Sequence, residues 1–132
     1  MDSVFKLWSA LSTGASDPKH IYQTPPGIIK RTAQSVDGDT KCSHNITLYD
    51  VILWYKQDEH KALKLLGYLN MNMAPNLEDD VKGKISFDGD GRKLSALSIS
   101  DLQLKDSAVY FCAASYTVIH IPLKSIQKLS FI

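Results

Sequence analysis

The sequence predicts an all-β sandwich, and three observations carry that reading. From Asp17 onward, short β-type runs alternate with turn residues at intervals of about 8–12 residues, the rhythm of a domain built from two packed sheets. No stretch holds a helical period for more than about two turns. The two cysteines, Cys42 and Cys112, stand 70 positions apart. That spacing suits neither a zinc site nor a redox pair, and it reads as one long-range disulfide.

The elements follow in order. His20-Ile21-Tyr22-Gln23-Thr24 reads as an edge strand ended by Pro25-Pro26-Gly27, because proline lacks the donor that a central strand needs, and Ile28-Ile29-Lys30 resumes it. Residues 36–41 make a weak core strand, with Gly38 and Thr40 on the face of Cys42 where an apolar residue two positions earlier is expected. Residues 51–57 are a central strand: Ile52, Trp54 and Lys56 share one face, Val51, Leu53, Tyr55 and Gln57 the other. Residues 63–69 follow a polar turn at 58–60, and 70–76 are turn-rich. Residues 84–87 and 94–99 flank Asp88-Gly89-Asp90-Gly91, which reads as the turn of a hairpin. A short crossover at 102–105 leads into Asp106-Ser107-Ala108-Val109-Tyr110-Phe111-Cys112, apolar on both faces, as a strand in the middle of a sheet requires.

Composition narrows the function. At 132 residues there is room for one domain. Fifteen basic and 14 acidic residues are interspersed, for a net charge of +1, so no footprint for nucleic acid or an anionic membrane is present. A disulfide implies an oxidising compartment. Residues 1–16 nonetheless read as a poor signal peptide, with Asp2 in the charged region and Lys6 and Ser9 breaking the apolar run. No apolar run is long enough to span a bilayer. Asp88-Gly89-Asp90-Gly91 lacks the acidic ligand that a calcium loop needs at its twelfth position, where Ile99 stands. His20, His44, His60 and His120 have no metal spacing and suit loops or the surface, and no serine sits in a nucleophile elbow. No catalytic, cofactor-binding or metal-binding residue is expected.

With Trp54 placed between Cys42 and Cys112 and an Asp-x-Ala-x-Tyr-x-Cys ending, the chain resembles an immunoglobulin V-set domain over residues 19–115. Cys42-Ser43-His44, Ile52-Leu53-Trp54-Tyr55-Lys56-Gln57, Leu66-Gly67-Tyr68 and Tyr110-Phe111-Cys112-Ala113-Ala114-Ser115 are most similar to a T-cell receptor beta-chain variable segment. The resemblance implies a V-type Greek-key β-sandwich. It implies that Cys42 and Cys112 bridge the sheets, that Trp54 packs on the bridge, that Tyr110 forms a tyrosine corner, and that Lys84 and Asp106 pair at the lower end. It places Tyr55 and Gln57 on the face that meets an alpha-chain variable domain. It assigns antigen contact to three loops: 45–50, with Asn45, Thr47, Tyr49 and Asp50; 70–76, with Asn70, Met71, Asn72 and Met73; and a third beginning at Ala114 and Ser115. Met71 and Met73 suit either adaptable contact or loop packing. Asn45-Ile46-Thr47 is also an N-glycosylation sequon.

The expected organisation is a V-set domain over 18–115, a leader remnant or intron-derived segment over 1–17, and a tail over 116–132. No Phe-Gly-x-Gly follows Cys112, so strand G is missing or replaced by a non-homologous tail, which leaves the partner-facing sheet with an unpaired edge. The tail is compatible with a recombination signal read as protein. Tyr116-Thr117-Val118 can be encoded TAC-ACA-GTG, which contains a CACAGTG heptamer. The codons of residues 119–125 with the first two nucleotides of the Ile126 codon supply a spacer of the beta-chain length, and the nucleotides that follow, spanning Ile126-Gln127-Lys128-Leu129, can encode the nonamer. The alternative is a divergent strand G over residues 116–123, since residues 117–121 alternate. The function implied is an extracellular antigen-recognition domain that binds peptide presented by major-histocompatibility molecules once it is joined to a J segment and paired with an alpha chain. The alternative is a non-rearranging V-set receptor or surrogate receptor chain.

Overall fold

Period-two alternation builds the core. In a computed structural model that describes residues 4–9 and 21–116, ten strands run in chain order. They are β1 (Val4–Ser9), β2 (Ile21–Thr24), β3 (Gly27–Arg31), β4 (Val36–His44), β5 (Val51–Gln57), β6 (Leu63–Asn70), β7 (Asn76–Leu77), β8 (Ile85–Asp90), β9 (Leu94–Ile99) and β10 (Ala108–Ser115). They form a six-stranded sheet in the order β3-β1-β10-β5-β6-β7 and a four-stranded sheet in the order β2-β4-β9-β8. Ile52, Trp54, Leu66, Leu69, Phe87, Leu97, Ile99 and Tyr110 fill the space between them. Cys42 of β4 and Cys112 of β10 join the two sheets through a disulfide with Cα atoms 6.4 Å apart. Trp54 beside it is fully buried, and its indole N–H donates to Ser95 Oγ at 3.0 Å. A buried indole needs that partner.

The weak strand before Cys42 is longer than its composition suggests. β4 pairs with β9 along its length, but the register shifts between Asp37 and Thr40, and Gly38 there takes a positive φ of 74°. The bulge takes up two residues, Gly38 and Asp39, so the alternation is kept across it and Val36, Thr40, Cys42 and His44 all face inward. Thr40 occupies the position where an apolar residue belongs, fully buried, with no hydrogen-bond partner for its hydroxyl.

The β8–β9 hairpin departs from expectation. Asp88, Gly89 and Asp90 belong to the strand, paired with Ala96, Ser95 and Leu94, and the turn lies at residues 91–93. Glycine makes this possible: at φ +121° a Cβ on Gly89 would stand 2.1 Å from the Leu94 carbonyl oxygen.

The largest difference lies at the N-terminus. The sequence places residues 1–17 outside the domain and leaves one edge of the larger sheet open. In the structure, β1 lies inside that sheet, antiparallel to β3 over five residue pairs, Val4↔Arg31 to Trp8↔Gly27. It runs parallel to β10 over three, Leu7↔Ala108 to Ser9↔Tyr110. The edge next to β10 is therefore covered over part of its length. His20 and residues 117–132 lie outside the described residues, and with them, apart from Tyr116, the read-through tail and the alternative strand at 116–123.

Candidate functional site

Antiparallel pairing of β10 with β5 and of β5 with β6 brings the expected recognition loops to one end of the sandwich. Backbone hydrogen bonds join them. Asp50 N–H donates to the Ser115 carbonyl at 3.0 Å, Met71 N–H to the Asp50 carbonyl at 2.9 Å, and Gly91 N–H to the Met71 carbonyl at 2.8 Å. The β8–β9 turn thus joins the three expected loops as a fourth. A Cβ on Gly91 would stand 2.2 Å from the Asp50 carbonyl oxygen and 2.3 Å from that of Leu69, so the approach requires glycine.

His44 completes the linkage from below. The sequence assigns the histidines to loops or surface, but His44 is 6% exposed. Its Nδ1 accepts from Ile46 N–H at 3.1 Å, so Nε2 carries the proton and donates to the Gly91 carbonyl at 2.8 Å. Tyr49 stacks at a tilt on Tyr116, with ring centroids 4.8 Å apart.

The tips remain open. Leu48, Met73 and Tyr116 are large, apolar and more than half exposed. Asn45, Thr47 and Asn72 are exposed, whereas Tyr49, Asp50, Asn70, Met71, Ala114 and Ser115 are partly covered. The Asn45 sequon is thus accessible. On the fourth loop, Arg92 forks onto the Asp90 carboxylate, Nε to Oδ1 at 2.9 Å and Nη2 to Oδ2 at 2.7 Å. The guanidinium holds that carboxyl down at about 2.

The outward face of the larger sheet carries a second apolar cluster. Val51, Leu53 and Tyr55 of β5 pack with Leu65 and Tyr68 of β6 and with Phe111 and Ala113 of β10. The Tyr55 and Phe111 rings stack at 5.4 Å. Burial pushes the Tyr55 hydroxyl up to about 12. Gln57, at the end of the same face, turns its amide to the Lys61 carbonyl at 3.3 Å.

At the lower end, Lys84 Nζ lies 2.8 Å from Asp106 Oδ2. The same oxygen accepts from Gln103 N–H at 2.8 Å. The Tyr110 hydroxyl donates to the Asp106 carbonyl at 2.6 Å. Its ionisation is pushed up, first by burial and then by the Asp106 charge.

Sequence reasoning missed three buried polar residues. Gln23 reaches from β2 to the other sheet, its Nε2 donating to the Tyr110 carbonyl at 2.7 Å and its Oε1 accepting from Cys112 N–H at 3.2 Å. Its signal was parity: it lies between exposed Tyr22 and Thr24, and opposite Cys42. Ser95, also opposite Cys42, could have been found the same way as the partner Trp54 needs. His44 shares the inward parity of Cys42.

The family model described as the immunoglobulin V-set domain matches residues 23–127, running past Ser115. The human T cell receptor beta variable 3-1 is 36% identical over 72% of this chain and 80% of its own length. The human T cell receptor beta variable 7-2 is 32% identical over 84% and 90%. The mouse T-cell receptor beta chain V region LB2 is 31% identical over 92% and 82%. A chain from a structural study of T-cell activation by the superantigen toxic shock syndrome toxin-1 superposes with a TM-score of 0.58 at 18% identity. That match covers 89% of this chain and 84% of that one, and speaks for the fold alone. V-set and T-cell receptor variable domains are receptor families rather than enzymes. The chain belongs to the immunoglobulin V-set family and, within it, to the T-cell receptor beta variable segments.

Proposed function

We propose that this chain is the antigen-recognition domain of a T-cell receptor beta chain, which binds peptide held by a major-histocompatibility molecule once it is joined to a J segment and paired with an alpha-chain variable domain. The observation that carries the reading is the stitched end of the sandwich. Asp50, Met71, Gly91 and Ser115 hold the stems of the loops in one frame, while Leu48, Asn72, Met73 and Tyr116 stand out from it. A pre-organised scaffold with variable tips loses little entropy on binding, which is the physical requirement for recognition by loops.

Pairing with the alpha chain is supported by the outward cluster of Val51, Leu53, Tyr55, Phe111 and Ala113. An apolar, aromatic-rich centre is what a stable interface needs. The disulfide and the exposed sequon suit an oxidising, extracellular setting. Among the described residues no helix is long and apolar enough to cross a membrane.

The test is refolding of the chain, fused to a J-encoded strand, with a panel of alpha-chain variable domains. A one-to-one heterodimer that loses affinity on Phe111→Asp supports the reading. Failure to pair with any alpha domain, with the fold intact by circular dichroism, refutes it. A second reading, a V-set chain that acts without rearrangement, is favoured by one observation: the family match runs on to residue 127. A mature transcript containing residues 116–132 in frame selects it, and a J-joined transcript ending near Ser115 rejects it.

A further inference from the structure

The lower end of the sandwich, opposite the recognition loops, opens into a cleft of about 520 Å³. Leu66, Val81 and Ile85 form its buried apolar floor, and four lysines stand against three aspartates along its walls. The β5–β6 register brings the lysines together. Lys56 has the inward parity of Ile52 and Trp54 and stands directly opposite Lys64. Like charges facing across a ladder repel, so each ammonium needs a counter-charge. Lys64 finds the Asp80 carboxylate, and Lys84 finds that of Asp106 at 2.8 Å and the Asp101 carbonyl at 2.6 Å. Asp101 turns its own carboxylate to Gln103 Nε2 at 3.4 Å.

Lys56 and Lys105 are left over. Among the described residues, the half-buried Lys56 ammonium meets only the Lys105 carbonyl, to which it donates at 3.1 Å. An ammonium has three donors, so most of its hydrogen-bonding capacity is unused. The Lys105 ammonium, exposed on the rim, pairs with no carboxylate of the described residues. Burial depresses the ionisation of Lys56 first, the Asp106 and Asp58 charges oppose that, and Lys105 and Lys64 add to it. A cation drawn out of water without a counter-ion is costly, and an anion seated against it offsets that cost.

We propose that this cleft is a binding site for a tetrahedral oxyanion of the sulfate or phosphate class, held by Lys56 and Lys105 with Lys64 beside them. The class follows from the donors. Two ammoniums without a carboxylate match the double charge of such an ion better than the single charge of chloride or a carboxylate. The lysines also converge from three elements, β5, β6 and the crossover before β10, which suits an acceptor with oxygens on several sides. The cleft has the volume of a small-ligand pocket, so it admits the oxyanion free or as an ester on a saccharide. The site lies away from the recognition loops and does not depend on what they bind.

The test titrates the full, oxidised chain with sodium sulfate and follows heat and backbone amide shifts, while sodium chloride holds ionic strength constant so that general screening cancels. Wild type saturates at one site in the low millimolar range, with shifts centred on Lys56, Lys64 and Lys105. Lys56→Met weakens binding by about tenfold or more, as loss of a charge-assisted bond requires. Lys93→Met removes the same charge from the β8–β9 turn at the other end and leaves binding unchanged. Asp80→Asn frees Lys64 and tightens binding several-fold, whereas Asp88→Asn, outside the cleft, does not. Where Lys56→Met loses its sheet signal, Lys105→Met, at an exposed position, carries the same comparison. A sulfated disaccharide that binds more tightly than sulfate through Lys56 identifies the saccharide as the source, and one that binds no better identifies the free ion; the site stands in both cases. The proposal is overturned by binding that does not saturate, by shifts centred elsewhere, by equal losses in Lys56→Met and Lys93→Met, or by an Asp80→Asn effect no larger than that of Asp88→Asn.

Discussion

Replacing Thr40 with valine should make this domain more stable. Thr40 is fully buried two residues before Cys42, opposite Leu97 in the β4–β9 ladder, and its Oγ1 has no hydrogen-bond partner. Folding therefore removes a hydroxyl from water without compensation, at a cost of about 1–3 kcal/mol. Valine has the same shape and puts a methyl where the hydroxyl stood, so no cavity or clash offsets the gain. We take about 1.5 kcal/mol as the expected net stabilisation, within the range for an unpaired buried hydroxyl. At a urea slope of about 1.5 kcal/mol per M, the midpoint rises by about 1 M. The melting temperature rises by about 6 °C for a domain of this size. The assay is urea unfolding of the oxidised chain followed by circular dichroism. Thr40→Ser is the control: it keeps the hydroxyl, loses the methyl, and falls below wild type by about 1 kcal/mol. If Thr40→Val is no more stable than wild type, the hydroxyl has a partner in solution and the reasoning fails.

Ser95→Ala leaves the buried Trp54 indole N–H without an acceptor and should cost about 1–3 kcal/mol by the same urea assay; a loss under a few tenths would show that water replaces the hydroxyl. Gly91→Ala forces a methyl against the Asp50 and Leu69 carbonyls, so hydrogen exchange at Asp50, Met71 and Gly91 should accelerate together, while uncoupled changes would contradict the stitched frame. Alkali should unfold the chain through its buried tyrosines. Tyr55 ionises at about 12 when folded against about 10 when unfolded, so its contribution is whole below pH 10 and is lost as pH rises through about 12. Tyr110 shifts in the same direction. Tyr55→Phe should flatten the fall in stability across that window, and an unchanged fall would assign it to other groups. Secreted from a glycosylating host, the chain should carry a glycan on exposed Asn45 that amidase treatment removes and Thr47→Ala abolishes.

Local pattern made much of the fold legible. Residues 51–57 are an unbroken β-type run and 94–99 a short one between turn residues, and β5 and β9 have the predicted bounds. Where the reading failed, the deciding force was not local. β8 keeps pairing through Asp88-Gly89-Asp90 because the Leu94 carbonyl fits against a glycine with no Cβ, a contact invisible from turn propensity. The place of β1 depends on the edge that β3 and β10 offer it, 20 and about 100 residues away, and the alternation of its own six residues says nothing about either. Gln23, His44 and Ser95 were overlooked because polar residues are presumed exposed. Their parity with Cys42, within a strand or across a ladder, marked them as inward.

One of the missed residues, His44, explains how one end of the sandwich can vary while the rest stays fixed. A hydrogen-bond path runs from the Ser115 carbonyl to the Asp50 N–H, from the Asp50 carbonyl to the Met71 N–H, and from the Met71 carbonyl to the Gly91 N–H. From the Gly91 carbonyl it passes to His44 Nε2, and from His44 Nδ1 to the Ile46 N–H, back on the first loop. Nearly every group on that path is a peptide unit, which any residue supplies. Only His44 and Gly91 commit the sequence, one by its ring and the other by its missing Cβ. Substitutions at Leu48, Asn72, Met73 and Tyr116 therefore alter what the surface offers a ligand without loosening the frame, whereas His44→Ala releases the first and fourth loops together. Separating the two roles in this way lets recognition change while about 1 kcal/mol per frame bond stays in place.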